Sequence, residues 1–157
     1  MTRETWVCDF ETQPIVDRPR YPPQPVGVAL ARMNARGDLV QPRYAGWGHP
    51  TGNSTERVRG ETLALLSRLW RDPSIDLVFH NAKFDLDVAE THLGLALPHW
   101  SRVHDTMFEV YLDDPRAPSL ALKPTATRLL GLKPDEQDAV RTWLVAHGVV
   151  KRNASDW

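Results

Sequence analysis

Cysteine is almost absent from this sequence of 157 residues, since Cys8 is the only one. A single thiol excludes an intramolecular disulfide framework and a zinc site built on several thiolates. No apolar run reaches the roughly 20 residues that a membrane-spanning helix needs, and the first residues lack the pattern of a signal peptide. These absences predict a soluble, cytoplasmic protein that does not contact a membrane.

An excess of one charge is also absent, because 19 Lys and Arg residues stand against 20 Asp and Glu residues. A nearly neutral chain has no global field that would attract polyanions. Its 41% apolar and 25% charged residues are close to the globular average, which excludes wholesale disorder, collagen and coiled coil. The length suits one domain, and we predict that residues 1–157 form a single domain.

The chain opens with three short segments that have the composition of β-strands. Segments 5–10, 26–33 and 39–47 are rich in β-branched and aromatic residues, and residues 34–38 carry hairpin turn chemistry. Pro42 cannot donate a ladder hydrogen bond, so we expect the third strand at a sheet edge.

Helices alternate with shorter strands in the rest of the chain. Apolar periodicity and helix-ending residues predict helices at 55–70, 84–93, 105–112, 124–130 and 134–147, and apolar runs predict strands at 75–79 and 103–104. This order predicts an α/β fold, a mixed sheet with helices on its faces.

Two acidic residues, Asp9 and Glu11, stand two positions apart where the first strand ends. On a strand such side chains point to the same face. Like charges that close repel each other, and burial raises one of the two pKa values unless a cation intervenes. Hard divalent ions such as Mg²⁺ and Mn²⁺ prefer carboxylate oxygens. The pair therefore indicates a metal site, unless it is a solvated strand end.

Two further acids follow the ends of short strands. Asp85 belongs to the segment His-Asn-Ala-Lys-Phe-Asp that follows strand 75–79, and Asp105 follows strand 103–104. In an open α/β sheet, ligands bind beyond the carboxyl ends of parallel strands. Each segment alone has a structural interpretation, in which Asn81 is a turn residue and the acids stabilise helix starts. Acids at three strand ends of one sheet favour a common site.

In combination, these segments resemble the DEDD, or DnaQ-like, 3′–5′ exonucleases, and most closely the proofreading domain of family A DNA polymerases. Residues 9–12 (Asp-Phe-Glu-Thr) resemble the first exonuclease motif, and residues 80–85 resemble the second. Residues 104–112 and the Ser-Leu pair at 119–120, followed by Leu-Leu-Gly at 129–131, resemble the next segments of that family. The resemblance implies an RNase H-like mixed sheet: three antiparallel strands, then helix–strand units, with flanking helices.

The resemblance also implies roles for seven residues, and helix capping suggests one for Asp105. Asp9, Glu11 and Asp85 match three of the four metal-binding carboxylates. Asp9 would bridge two divalent ions, Mg²⁺ or Mn²⁺, while Glu11 would hold the ion that activates water and Asp85 would support the other. Asp105 is expected to cap or orient from behind the metal ligands rather than to bind metal. Four residues match positions that touch the 3′-terminal nucleotides: Thr12, Asn81, Phe84 and Met107.

The implied activity is two-metal hydrolysis of terminal phosphodiesters at the 3′ end of single-stranded DNA, as in polymerase proofreading. The implied partners are DNA 3′ ends and a polymerase domain in the same, longer chain, in a bacterial or viral replication setting. Nothing in the residues distinguishes deoxyribose from ribose, so an exoribonuclease of the same fold is an alternative.

The sequence departs from the family at the third exonuclease motif, a Tyr or His four or five residues before an Asp. No such pair occurs in 106–157, and the acids at 135–138 have the pattern of a first helical turn. The missing fourth carboxylate, together with the bulky Trp157 at the end, predicts a chain cut before its last motif. The alternative is a catalytically inactive module that binds nucleic acid or has a structural role.

Overall fold

The computed structural model describes residues 3–16, 21–49 and 52–132. The chain divides into two compact units, residues 1–113 and 114–157. That the whole chain forms a single domain stays a prediction, and the predicted helix 134–147 lies outside the described residues. No helix in the described ranges is long and apolar enough to cross a bilayer.

The first unit contains the predicted strands and helices, each with boundaries within two residues of those expected. In chain order they are β1 (Glu4–Thr12), β2 (Pro25–Met33), β3 (Leu39–Gly46), α1 (Glu56–Arg71), β4 (Ile75–Phe79), α2 (Ala82–Leu93), β5 (Val103–Asp105) and α3 (Thr106–Asp113). A short 3-10 helix, Trp100–Arg102, precedes β5.

These strands form one mixed sheet in the order β3-β2-β1-β4-β5. The pairs β1–β2 and β2–β3 are antiparallel, whereas β1–β4 and β4–β5 are parallel. The α/β fold with three antiparallel strands followed by helix–strand units is thereby confirmed. Strand β3 lies at an edge, as its Pro42 predicted. The last β1–β4 pair is Val7 with Val78, so β1 continues for five residues beyond its parallel neighbour.

The hydrophobic core lies on one face of the sheet. Along β1, the alternate residues Trp6, Cys8 and Phe10 are buried, and the core cluster joins them to apolar residues of β2, β4, α1 and α2. Burial of each large apolar side chain contributes about 1.5–3 kcal/mol. The alternation leaves Asp9 and Glu11 exposed on the opposite face, so the same pattern that fixes the core also presents the acids.

The described part of the second unit contains one helix, α4 (Leu122–Leu130). It ends at Gly131, whose φ of 66° is a left-handed conformation that favours glycine. Arg128 near the end of the helix lies 3.7 Å from the Asp114 carboxylate. The predicted short helix at 124–130 is therefore present and begins two residues earlier.

Candidate active site

The first strand carries two predicted site residues on one face. Strand β1 runs through to Thr12, so Asp9 and Glu11 lie within it and not just past its end. Neighbouring groups partly desolvate the Asp9 carboxyl, although the residue as a whole is exposed. This desolvation and the charge of Glu11 raise the pKa of Asp9, whereas His80 lowers it. The two carboxylates are thus close enough to repel each other.

Asp85 joins this pair from helix α2. It is only 2% exposed, and its Oδ1 accepts a hydrogen bond of 2.9 Å from the backbone N–H of Phe10. Phe10 lies beyond the last β1–β4 pair, so the carboxylate takes the place of a strand partner for this N–H. Because Phe10 stands between Asp9 and Glu11 in the strand, the bond places the Asp85 carboxylate against the backbone segment that carries the other two acids.

The surroundings of Asp85 disfavour its charge. Burial is the largest cause and, together with the charges of Asp9 and Asp105, it raises the pKa of Asp85 to about 7, while the hydrogen bond from Phe10 opposes the rise. A carboxyl that buried, with like charges around it, is the environment in which a bound cation gives the greatest electrostatic gain.

The start of α2 explains how Asp85 reaches the sheet. Asn81 connects β4 to α2 in a left-handed conformation, with φ 72° and ψ 55°, which Asn tolerates better than most residues. Its exposed side chain makes no capping hydrogen bond. The chain therefore turns from strand to helix within two residues, and Asp85 falls in the first turn of the helix.

Asp105 supplies the cap that Asn81 does not. Its Oδ1 accepts from the backbone N–H of Asn81 (3.0 Å), and its Oδ2 accepts from that of Ala82 (2.9 Å). The same Oδ1 accepts from the N–H groups of Met107 (3.0 Å) and Phe108 (3.4 Å) at the start of α3. One carboxylate thus satisfies backbone donors at the starts of two helices. Its role behind the metal ligands stays a prediction.

The four residues predicted to touch nucleotides lie at element ends around these acids. The hydroxyl of Thr12, at the end of β1, donates to the backbone oxygen of Gln13 (2.9 Å). Phe84 is partly buried against the core in the first turn of α2, and Met107 is half-buried in the first turn of α3. With the exposed Asn81, they border the carboxyl ends of β1, β4 and β5. Their contact with nucleotides stays a prediction.

His80, the residue between β4 and Asn81, is a further neighbour of the acids. Its Nδ1 lies 2.9 Å from the hydroxyl of Thr106, which donates to the backbone oxygen of Phe79 (3.0 Å). Its influence on the pKa of Asp9 places it near that carboxyl. The signal in the sequence is its position directly after a buried parallel strand, where functional side chains of α/β sheets often stand.

Tyr44 of β3 is a second neighbour, and it belongs to none of the motifs in the sequence. Burial and the charge of Glu11 raise its pKa. Its hydroxyl lies 2.7 Å from Nε2 of His49. Finding it from sequence requires the strand register, in which Tyr44 pairs with Ala29 and Ala29 pairs with Asp9.

The acids fit a hard divalent cation by their donor chemistry. Within residues 3–16, 21–49 and 52–132, no three His, Cys, Asp or Glu side chains are already arranged as a metal site. The donors are nevertheless carboxylate oxygens, the ligand type that Mg²⁺ and Mn²⁺ prefer. Burial first, and neighbouring acids second, raise the pKa values of Asp9 and Asp85, and a divalent ion beside them would favour their charged forms.

A family model described as 3′–5′ exonuclease, of the DNA polymerase A type, matches residues 47–155. This range is about two-thirds of the chain and contains Asp85 and Asp105. It begins after β1, so Asp9 and Glu11 lie outside the matched residues. A comparison with curated protein sequences gives no match.

Solved structures of nucleases and of a polymerase share the fold. The Pol1 POL domain from M. smegmatis, in complex with DNA primer-template and dNTP, matches with 23% identity and a TM-score of 0.54, over 95% of this chain and 22% of that chain. E. coli exonuclease I in complex with a dT13 oligonucleotide matches with 14% identity and a TM-score of 0.58, over 83% and 36%. Escherichia coli RNase D, an exoribonuclease involved in structured RNA processing, matches with 21% identity and a TM-score of 0.51, over 86% and 30%.

The chain spans about half the length, or less, of the solved structures that it matches. The likeness shows a common RNase H-like α/β fold, which was predicted. It also shows that this fold occurs in a polymerase domain bound to DNA, in an exonuclease bound to a dT13 oligonucleotide and in an exoribonuclease.

Proposed function

Because this chain belongs to the 3′–5′ exonuclease family of the DNA polymerase A type, we propose that Asp9, Glu11 and Asp85 form the active site of a metal-dependent exonuclease. One observation carries the proposal. The buried Asp85 carboxylate accepts the Phe10 N–H midway between the other two acids. This contact supports a common site for acids of β1 and α2, at the end of the sheet where α/β proteins bind their ligands.

These three acids would hold two divalent ions, Mg²⁺ or Mn²⁺. When bound, such ions lower the pKa of a coordinated water and balance the charge that develops on the phosphate and the leaving oxygen. The protein contributes by holding the three acids in place. Asp85 is fixed by the Phe10 N–H and by its burial under α2, and Asp9 and Glu11 are fixed by the pairing of β1 with β2.

The proposed substrate is the 3′ end of single-stranded DNA. The family is named for DNA polymerase A, and the Pol1 POL domain bound to DNA aligns with nearly all of this chain. Thr12, Asn81, Phe84 and Met107 would contact the terminal nucleotides, because amide and hydroxyl groups bind sugar or phosphate, while a ring and a thioether contact bases without reading their identity. A polymerase domain in the same longer chain would supply the strand.

An exoribonuclease is the second candidate. RNase D, which acts on structured RNA, shares the fold over 86% of this chain. The two candidates differ in whether a site residue contacts a 2′-hydroxyl, the group that distinguishes RNA from DNA.

The test uses the complete chain with 5′-labelled DNA and RNA strands of the same sequence in Mg²⁺ or Mn²⁺. We expect a ladder of products shortened from the 3′ end, faster for DNA. Asp85→Asn and Asp9→Asn should each lower the rate by about 100-fold or more, as removing a charge-stabilising group at an active site does. Glu90→Gln, an exposed acid on the same helix α2, should leave the rate unchanged.

Two results would overturn the proposal. Shortening that survives Asp85→Asn would assign the activity to other residues. Tight strand binding without shortening would favour the inactive nucleic-acid-binding module. Faster shortening of RNA than of DNA would instead transfer the proposal to the exoribonuclease.

A further inference from the structure

Two glycines on the sheet surface lie in one row with Glu11. Gly27 of β2 pairs with Glu11 on one side and with Gly46 of β3 on the other. Neither glycine has a positive φ, so backbone conformation does not require glycine at these positions. Glycine inside a strand weakens it and often marks a close approach by another group. The row therefore needs the space that two missing side chains leave.

Tyr44 and His49 occupy that space. A Cβ at position 27 would lie 2.6 Å from the Tyr44 hydroxyl oxygen, and a Cβ at position 46 would lie 2.9 Å from Cδ2 of His49. Both distances are too short for real atoms. The Tyr44 hydroxyl and His49 Nε2 are hydrogen-bonded at 2.7 Å. The two rings therefore lie against the glycine backbone, directly beside Glu11.

The position of His49 is itself fixed by its own loop. Its backbone N–H donates to Oδ1 of Asn53 (2.9 Å), and Nδ2 of Asn53 donates back to the oxygen of His49 (2.7 Å). The two bonds fix the backbone of His49, and its imidazole in turn fixes the Tyr44 ring. Tyr44 nevertheless remains 47% exposed. A large aromatic side chain that is held in place and still open to solvent has the form of a contact surface.

This ring lies within reach of a strand bound at the acids. Tyr44 is two strands away from Asp9 along one row, a separation of about 10 Å at ordinary strand spacing. A tyrosine phenol ordinarily titrates near pH 10, so this ring is neutral at physiological pH. A neutral ring can contact a base next to the carboxylates without pairing with them or competing for the cation.

We propose that Tyr44, held by His49 over Gly27 and Gly46, is a stacking platform for a nucleobase of the single strand whose 3′ end is cut. The inference rests on the proposed exonuclease function and names a further nucleotide subsite, on the β3 side of Glu11. Every base has a π-face, so stacking there is tolerant of sequence. The platform fits an enzyme that shortens strands whatever their terminal base.

The first experiment measures strand binding by fluorescence anisotropy. The probe is a labelled oligothymidylate with phosphorothioate linkages at its 3′ end, which prevents cleavage. Tyr44→Leu should raise Kd about fivefold or more, since removing a stacking ring costs that much per base, whereas Tyr44→Phe should stay within twofold of wild type. The matched control is Trp100→Leu, because Trp100 is also an exposed aromatic residue (65%) but lies before β5. This change should leave Kd unaltered.

The second experiment locates the base. An abasic nucleotide is placed at each of the last four positions of the probe in turn. In wild type, one position should weaken binding, and in Tyr44→Leu the same position should have no further effect. Equal responses of wild type and Tyr44→Leu at every position would overturn the platform. So would Tyr44→Leu binding like wild type, or Tyr44→Phe binding as weakly as Tyr44→Leu, since a hydroxyl contact would then replace stacking.

The two proposals fail in different ways. The exonuclease proposal is contradicted if the wild-type chain does not shorten a phosphodiester strand. The platform proposal is contradicted if the wild-type chain shortens and binds the strand and Tyr44→Leu behaves in the same way. Thermal melting of each variant shows that a binding loss is not a folding loss.

Discussion

Asp85 is a buried acid whose charge the described protein groups stabilise incompletely. Within the described ranges no Lys, Arg or His forms an ion pair with it. The Phe10 N–H supports the charged form, but burial and two neighbouring acids outweigh it and raise the pKa to about 7. Without a cation, the folded protein therefore holds a proton on this carboxyl over most of the acidic range.

This raised pKa gives the metal-free protein a pH-dependent stability. The pKa of Asp85 is higher in the folded state than in the unfolded chain, so its contribution is greatest below about pH 4 and is lost as the pH rises through 7. In EDTA we expect the free energy of unfolding to fall by about 2–3 kcal/mol more between pH 5 and pH 8 in wild type than in Asp85→Asn. Urea titrations at a series of pH values measure it. Identical pH slopes in the two proteins would contradict the shift.

Only part of this environment could be predicted from residues. That Asp9 and Glu11 share a face follows from strand alternation alone. The bond from Phe10 to Asp85 does not, because it requires β1 to continue beyond β4 and a helix to begin just there. Residue types indicate which acids are candidates, while the relative lengths of the strands determine where these acids lie.

At the scale of the elements, Asp105 connects the starts of α2 and α3. Its carboxylate accepts four backbone N–H groups from two helices. A single helix cap is worth about 0.5–2 kcal/mol, and here one side chain serves twice.

Removing this shared cap should therefore destabilise the fold clearly. We expect Asp105→Ala to lower the free energy of unfolding by about 2 kcal/mol or more, and Asp105→Asn to lower it less, because one acceptor oxygen remains. Asp113→Ala, at the far end of α3, serves as the control with little effect. Urea denaturation followed by circular dichroism gives the values. Equal stability of Asp105→Ala and wild type would show that water replaces the cap at no cost.

Replacement by alanine should have different effects at two glycines of the first unit. Gly60 lies in α1, and a Cβ added there would meet only open space, so Gly60→Ala should stabilise the protein by about 1 kcal/mol. Gly27→Ala places a Cβ against the Tyr44 hydroxyl and should displace that ring. Thermal melting and anisotropy together test this. We expect Gly27→Ala, and not Gly60→Ala, to weaken strand binding, and a Gly27→Ala protein with wild-type affinity would show that the ring's position is unimportant.

The order of the elements was predictable, but their long-range support was not. Pro42 correctly predicted an edge strand, and Gly94 ends α2 at φ 64° as a left-handed helix end. The start of α2 was predicted two residues late. It begins at Ala82 because Asn81 adopts a left-handed conformation and because an acid 23 residues away accepts the N–H of Ala82. The helix propensity of the residues near Ala82 does not predict this distant hydrogen-bond partner.

At the scale of the whole molecule, a nearly neutral chain concentrates acids at one end of its sheet. The net charge is −1, whereas at this end burial and the charge of Glu11 raise the pKa of Asp9, and burial and the charges of Asp9 and Asp105 raise the pKa of Asp85. A phosphate approaching these acids without a cation meets repulsion, so both the fold and the proposed substrate gain from the same ion.

Divalent ions should therefore raise the melting temperature of the complete chain. A ligand present at 100 times its Kd stabilises the folded state by about 2.7 kcal/mol, and we expect Mg²⁺ or Mn²⁺ to produce a saturable rise in differential scanning fluorimetry. NaCl at equal ionic strength should not reproduce it, and Asp85→Asn should lose most of it. A rise that Asp85→Asn retains in full would place the ion elsewhere.

Family and fold could be identified from the sequence because the motifs combine in order. The predicted resemblance to the DEDD exonucleases is confirmed by the family match, and the predicted RNase H-like fold by the solved structures. The roles of the individual acids stay predictions, as does the substrate. The region in which the third motif was sought ends in residues 133–157, outside the described part of the chain.

The overhang of β1 beyond β4 links backbone length to acid chemistry. If β4 were extended far enough to pair with Phe10, a carbonyl oxygen of the neighbouring strand would accept its N–H, and Asp85 would lose its anchor. An insertion of neutral residues that lengthens β4 would thus release Asp85 from β1, although every carboxylate would remain in the sequence. The position of Asp85 beside β1 therefore depends on the length of β4.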